Sequence, residues 1–391
     1  MNALELLDII STGETSKVQF KENITSPDSF AAEIVAMANS LGGIILVGVK
    51  DKTGEVVGLD YTELQRIGNL AGDIATNKVI PLVYIQTEVV TIEIKNKKRN
   101  ILIIHVKEGI NKPYKDGKLI PWIKQGADKR KVTDNFELLR LFQDGGNLLA
   151  DEMEVPNTSI NDVNENRLSE YVLRAFDKKL EDIGLSVEQL LKNIRVIGNK
   201  KLTLGGLLFF GKNPQQYKPA FCIKAVSFFG NNIAGTEYRS SKDIMGTIPE
   251  LYDRGMDFFT SNLKHTQQGQ NFNSLGIMEI SKIALEELLQ NALIHRDYFK
   301  NAPIRIFIFD NRIEIISPGK LPNSLTIENI KSGNSAIRND LLCSYCVKTM
   351  PYRGLGSGII RALEKQPNIE FINDVDGEQF IVKIPRPEDN R

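Results

Sequence analysis

Apolar residues recur at helical spacing in some stretches of the chain and crowd into short runs in others. Leu4, Leu7 and Ile10 predict a short helix over residues 2–10. Residues 28–41 predict a stronger one. Phe30, Ile34, Met37 and Leu41 share a face, Asp28 or Ser29 can cap it, and Gly42-Gly43 ends it. IILVGVKD then reads as a buried strand, and TGEVVGL as a turn into a second strand. Residues 79–95 and 101–107 are β-rich and separated by the polar turn NKKRN. Residues 119–125 are a further strand candidate, and 134–143 form a closing helix. Residues 144–166 are polar and rich in Asn, Asp and Gly, the composition of a domain junction. Beyond them, residues 165–195 are helical in pattern, while KLTLGGLLFFG and FCIKAVSFF read as strands. Residues 246–263 and 278–296 predict helices. IRIFIFDNRIEIISPGKLP predicts strand–turn–strand about Asp310-Asn311. A helix over 358–365 and a strand at FIVKIP complete the pattern. The expectation is an α+β chain with units over 1–145 and 166–391, joined by a linker at 146–165.

Composition narrows the class. A chain of 391 residues exceeds the usual reach of one core. Lys+Arg and Asp+Glu are both 49, which excludes a uniformly basic binder and an acidic disordered chain. No run of about 18 apolar residues exists, so no membrane partner is expected. The N-terminus lacks the basic start and apolar core of a secretion signal, and three cysteines are too few for a disulfide framework. These features predict a cytoplasmic protein. The charge is also segregated. Residues 1–94 hold 6 Lys/Arg against 13 Asp/Glu, whereas residues 95–140 hold 13 against 5. The basic stretch carries Tyr114 and Trp122, and such a stretch can pair with phosphates and stack on bases. KNKKR within it reads equally as a solvated hairpin turn, and Trp122 as core. The expected DNA or RNA contacts are Lys124, Lys129, Arg130 and Lys131.

The segment ALEELLQNALIHRDYF carries candidate chemistry. Glu287, Asn291 and His295 stack on one helix face, opposite Leu285, Leu288, Leu289 and Leu293. An Asn amide oxygen can ligate Mg²⁺, and a carboxylate one turn away can deprotonate a water. The alternative is a solvated polar stripe on an ordinary amphipathic helix. Two later segments favour the chemical reading. SPGKLP follows the strand RIEII, and PYRGLGSGIIRAL places Gly354, Gly356 and Gly358 before a helix. Glycines there let backbone amides approach a phosphate. Cys343-Ser-Tyr-Cys346 has no second cysteine pair or nearby His, so it reads as a packed helical turn rather than a zinc site. His105 reads as core or edge of an apolar strand. Arg296 reads either as a phosphate contact or as part of a helix-end network.

The order of these elements resembles the GHKL-type ATPase fold of histidine kinases and gyrase-like proteins. LEELLQNALIHRDY, RIEIISPGKLP and RGLGSGI resemble more closely the divergent GHKL module of bacterial transcriptional regulators, often labelled RecG-like and helicase-related. That module is an α/β sandwich, a mixed sheet packed on helices. The resemblance spans about residues 200–385. It implies ATP and Mg²⁺ as cofactors, Glu287 as water-activating base and Asn291 as metal ligand. Gly319 would lie under adenine, and Gly354, Gly356 and Gly358 would belong to the phosphate lid. Ser317 stands where that family has an Asp that reads the adenine amino group, so the contact would be uncharged.

ETSKVQFKEN, ANSLGGIILVGVKD and PWIKQGADKRKVT resemble the Schlafen AlbA-type domain that precedes the GHKL module in those regulators. This resemblance implies nucleic-acid binding or, through three acidic residues, RNA cleavage. Glu14 and Asp51 match two of the three, but Gln19 stands at the second, which argues against a nuclease. Many such regulators add a winged helix after the GHKL module, and this chain ends at Arg391, just beyond the last strand. The expected function is a nucleotide-responsive, DNA-binding regulator, with weak ATPase activity left open. The alternatives are a nucleic-acid-processing enzyme or defence effector, and a homo-oligomeric scaffold with a degenerate pocket.

Overall fold

The computed structural model describes residues 1–51, 53–234, 237–266, 276–322 and 325–387. The chain divides into two compact units, residues 1–148 and 149–391. In the first, four strands lie in the order Val18–Lys21, Gly43–Val47, Lys97–Val106, Ile85–Ile94. The first two are parallel, with the helix Pro27–Asn39 as their crossover, and the other pairings are antiparallel. Ile45, Val47, Leu102 and Ile104 pack with that helix and with the helix Tyr61–Asn77. Leu46, Ile101 and Ile103 point the other way, where Leu6 and Phe20 meet them. Both faces are covered, which is why GIILV reads as a continuous apolar run without alternation.

Local details differ from the expectation. Ser26, rather than Asp28 or Ser29, caps Pro27–Asn39 by accepting the Ser29 amide at 3.3 Å, with Pro27 in the first turn. The helix stops at Asn39, so Leu41 is exposed. TGEVVGL adds no strand and makes isolated bridges only, Val56 to Val49 and Leu59 to Asn100. The hairpin turn falls on Lys95-Asn96, both at positive φ, as a two-residue connection requires.

The main sheet of the second unit has six described strands in the order Tyr238–Ile244, Ile223–Phe228, Ile304–Ile308, Arg312–Pro318, Gln379–Pro385, Glu370–Asp374. Ile223–Phe228 and Ile304–Ile308 are parallel, and all other neighbours are antiparallel. The helices Ile248–Asn262 and Lys282–His295 pack in one core with Ile304, Ile306, Ile313, Ile315 and Val382. Residues of the opposite parity, Phe307, Phe309 and Ile316, form a separate cluster with Phe228. Ser317 lies two residues beyond Ile315, so the strand's alternation turns it toward the Lys282–His295 helix. The chain is α+β throughout, with a mixed sheet packed on helices in this unit.

Two expectations are corrected here. KLTLGGLLFFG is a helix, Leu204–Phe210, and not a strand. All seven residues are buried, so no polar face reveals its period. Thr203 caps it by accepting the Gly206 amide at 3.0 Å. A Cβ on Gly206 would stand 2.2 Å from the Val196 carbonyl oxygen, so glycine permits the contact. The polar stretch expected as a linker at 146–165 is largely part of the second unit. Ala150, Val155 and Val163 are buried, and Glu154 and Val163 bridge to Thr203 and Gly211. Two of its polar residues, Asp151 and Thr158, are buried hydrogen-bonding groups. Thr158 donates to the Val155 carbonyl and accepts the Leu202 amide, and Asp151 Oδ2 accepts the Leu342 amide at 3.0 Å.

Asp151 is wholly buried and its Oδ1 has no hydrogen-bond partner among the described residues. Burial raises its carboxyl from 3.8 to about 6. Between pH 4 and 6 the folded state therefore holds a proton that the unfolded chain has released. This contribution to stability falls as pH rises through that window, and the penalty is complete above it. Asp151→Asn keeps an acceptor and removes the charge. Urea denaturation should show the variant about 1–3 kcal/mol more stable at pH 7, with the difference closing by pH 4. A variant less stable at pH 7 would show that the charge is compensated in place.

Candidate functional site

The helix Lys282–His295 is buried on most sides, and its polar stripe lines a cavity. Strand residues Ile315, Ser317, Phe380 and Val382 form one wall. The turn 319–322 and the segment 352–361 form the others. Glu287 Oε1 accepts Arg361 Nε at 2.8 Å and Nη2 at 2.5 Å. A Cβ on Gly358 would lie 2.6 Å from Glu287 Oε2 and 3.2 Å from Asn291 Nδ2. A larger residue at 358 would therefore displace the Glu287 carboxylate or the Asn291 amide from the first turn of the helix Gly358–Lys365. Among the described residues the buried Asn291 Nδ2 has no hydrogen-bond acceptor, a cost that an acceptor atom of a ligand in the cavity would remove.

The other predicted positions surround the same cavity. Ser317 Oγ donates to the Ala292 carbonyl at 3.3 Å, which leaves its lone pairs as acceptors. Gly319 has φ +100, and its missing Cβ would meet Asp297 Cβ at 2.5 Å. Gly354 and Gly356 have φ +66 and +71, values that disfavour other residues, and a Cβ on Gly356 would strike the Gly333 carbonyl oxygen at 2.2 Å. Glu287, Asn291, Ser317, Gly319, Gly354, Gly356 and Gly358 are therefore brought together. The set fits a magnesium nucleotide. Mg²⁺ takes few protein ligands when phosphates supply the rest, so the Asn291 amide oxygen could serve as the one side-chain ligand. The apolar wall fits a base. Among the described residues no group of three or more His, Cys, Asp or Glu could hold a metal by itself.

His295 is half-buried beside Tyr352, its Nε2 lying 2.9 Å from that hydroxyl. Desolvation pushes its pKa down to about 4, so it is neutral at physiological pH. Arg296 belongs to the helix-end network. Its guanidinium donates to the Lys300 and Ala302 carbonyls and lies 4.7 Å from the ring centres of Phe221 and Tyr298. Asn339 Nδ2 donates to the Ile294 and Arg296 carbonyls, closing the helix C-terminus. Cys343 and Cys346 are buried in the helix Asp340–Thr349, as a packed turn requires. Sequence reasoning missed Arg361, Asn339 and Tyr352. Arg361 stands three residues after Gly358, so its place on the helix was legible. Its partner, 74 residues earlier, was not.

In the first unit the expected basic contacts separate. Lys124 is a correction. Its side chain is 1% exposed, and Nζ donates to Glu33 at 2.9 Å, Gln19 at 2.8 Å and the Ala127 carbonyl. Lys129 shares Glu33 at 2.8 Å, because a buried carboxylate demands compensation. Arg130 is forked on Glu137. Lys131 is exposed, 5.5 Å from the Trp122 ring centre, and Trp122 Nε1 donates to Asp116. Lys95, Lys97 and Lys98 are exposed at the hairpin tip. Glu14 accepts the Phe20 amide and the Gln19 side chain, and Asp51 pairs with Lys21.

Residues 14–133 match the family model described as Schlafen, AlbA_2. Residues 301–383 match the one described as "Putative ATP-dependent DNA helicase recG C-terminal". Residues 139–224 match a domain of unknown function (DUF8451). The chain thus combines a Schlafen AlbA_2 domain with an ATPase-like, recG C-terminal-type domain. The second match includes Ser317, Gly319, Gly354, Gly356 and Gly358 but begins after Glu287 and Asn291. The crystal structure of the DIP2311 protein from Corynebacterium diphtheriae is 21% identical over 98% of this chain and 80% of that one, with a TM-score of 0.46. No curated protein matches the chain. Among the described residues no helix is long and apolar enough to cross a membrane.

Truncating Lys124 leaves the buried Glu33 with Lys129 as its remaining ion-pair partner. Lys124→Ala should lower the stability of the chain by about 3 kcal/mol in chemical denaturation. A loss below about 0.5 kcal/mol, as for an exposed lysine, would contradict this burial.

Proposed function

We propose that the chain is a nucleotide-responsive nucleic-acid-binding regulator. The 149–391 unit binds ATP with Mg²⁺, and the 1–148 unit binds DNA or RNA. The observation that carries the nucleotide half is the meeting of Glu287, Asn291 and the glycine-led Gly358–Lys365 helix at one wall of a cavity with an apolar opposite wall. A helix N-terminus favours phosphate, and the Asn291 Nδ2 donor, unpartnered among the described residues, calls for an acceptor such as a phosphate oxygen. Asn291 would hold Mg²⁺ through Oδ1, and the ion would supply charge compensation to the phosphates when bound. Ser317 and Gly319 would receive the adenine, with Ser317 accepting from its amino group. Gly354 and Gly356 would let the segment between Tyr352 and Ser357 close. Glu287 would take a proton from a water near the terminal phosphate, which gives a weak ATPase at most while the carboxylate stays paired.

The AlbA_2 match supports the nucleic-acid half, and the exposed Lys95, Lys97, Lys98 and Lys131 supply the phosphate contacts. Nucleotide alters nucleic-acid binding only if it favours one conformation of the chain.

Calorimetric titration of ATP·Mg²⁺ tests the first half. Wild type should bind, and Asn291→Ala should bind at least about tenfold more weakly, with the gap narrowing in EDTA. Equal affinities, or no binding by wild type, would remove the nucleotide role. For the second half, Lys97→Glu with Lys131→Glu should weaken binding to labelled duplex or single strands and lower the salt slope by about one per lost phosphate contact. Unchanged affinity and slope would place the contact elsewhere.

A further inference from the structure

We infer that Arg361 is a phosphate-contacting residue whose partner in the absence of nucleotide is Glu287, and that the two separate when a nucleoside triphosphate binds. The inference rests on the nucleotide reading above and adds to it the residue that distinguishes a triphosphate from a diphosphate. Arg361 lines the same cavity as Glu287 and Asn291, and two of its nitrogens converge on Glu287 Oε1 at 2.8 and 2.5 Å. The other carboxylate oxygen lies beside Gly358, at the opening turn of the helix that carries Arg361. The carboxylate of Glu287 thus stands against two groups that attract anions, a guanidinium and a helix N-terminus.

The pair is poised to exchange. Its side chains are 28% and 10% exposed, so opening it does not strand a fully buried charge. A guanidinium forks onto a phosphate as readily as onto a carboxylate, and a triphosphate carries more negative charge than one Glu. A triphosphate entering beside Glu287 also meets like-charge repulsion that only a nearby cation offsets, and Arg361 is the cation already in contact with that carboxylate. Moving Arg361 to the phosphate would relieve the repulsion and release Glu287 Oε1 to accept a proton. In the described state the same oxygen is committed to Arg361. Glu287 is proposed to face the water near the terminal phosphate, so the terminal phosphate is the one Arg361 meets.

Equilibrium binding tests this without reference to turnover. ATP and ADP, each with Mg²⁺, are titrated into wild type, Arg361→Gln and Glu287→Gln, and the denaturation midpoint of each variant is measured alongside. Arg361→Gln should weaken ATP by about tenfold or more and ADP by much less. Glu287→Gln removes the competing carboxylate and the repulsion, so ATP should bind about three- to tenfold more tightly. If Arg361→Gln binds both nucleotides as wild type does, or binds ATP more tightly, Arg361 is only a structural brace and the inference fails while the nucleotide reading stands. If wild type binds neither nucleotide, both fail. Should Arg361→Gln not fold, Glu287→Gln decides alone, and unchanged or weaker ATP binding overturns the exchange.

Discussion

The second unit is organised around a helix that is buried yet carries a polar stripe. Lys282–His295 contributes Leu285, Leu288, Leu289 and Leu293 to the core, so it cannot rotate its polar side into water. Each polar group left buried without a partner costs about 1–3 kcal/mol. The structure answers residue by residue. Arg361 meets Glu287, Tyr352 meets His295, and Asn339 closes the helix end. All three come from residues 339–361, so the path of that segment is tied to what the buried helix needs. Asn291 is the member whose amide is left open, and it sits at the centre of the stripe.

The glycines follow from the same constraint. Gly358 brings backbone, rather than a side chain, beside Glu287 and Asn291, and Gly356 has to pass the Gly333 carbonyl. A loop that approaches this closely presents its amides to whatever occupies the cavity. Packing and ligand chemistry therefore ask for the same residue type at the same positions. This explains why a pattern that could have meant only a tight turn is also the pattern of a phosphate-receiving loop.

In the first unit the segregated charge has two destinations. Glu33 is buried in the crossover helix and draws Lys124 and Lys129 onto it, while Glu137 takes Arg130. Much of the positive charge in residues 95–140 is thus committed inside the unit. The exposed remainder includes the Lys95-Asn96 hairpin tip, Lys107 and Lys131. A count of charges along the sequence is blind to this, because an ion pair between residues 33 and 124 leaves no trace at short range.

The sequence by itself determined the two-part α+β organisation, the Glu287–Asn291–His295 stripe, the glycines before the helix at residue 358, and the strand RIEII that leads to Ser317. Each is a local property, expressed in a period of 3.6 or 2, in a cap, or in a positive φ. Tertiary structure alone decided three other things. Leu204–Phe210 is a helix because a fully buried segment has no polar side to show its period. The polar stretch after Leu149 is packed because its Asp and Thr find buried partners far along the chain. Glu287 is joined to Arg361, and Lys124 to Glu33, because folding brings together charges 74 and 91 residues apart, and only distance in space sets their attraction.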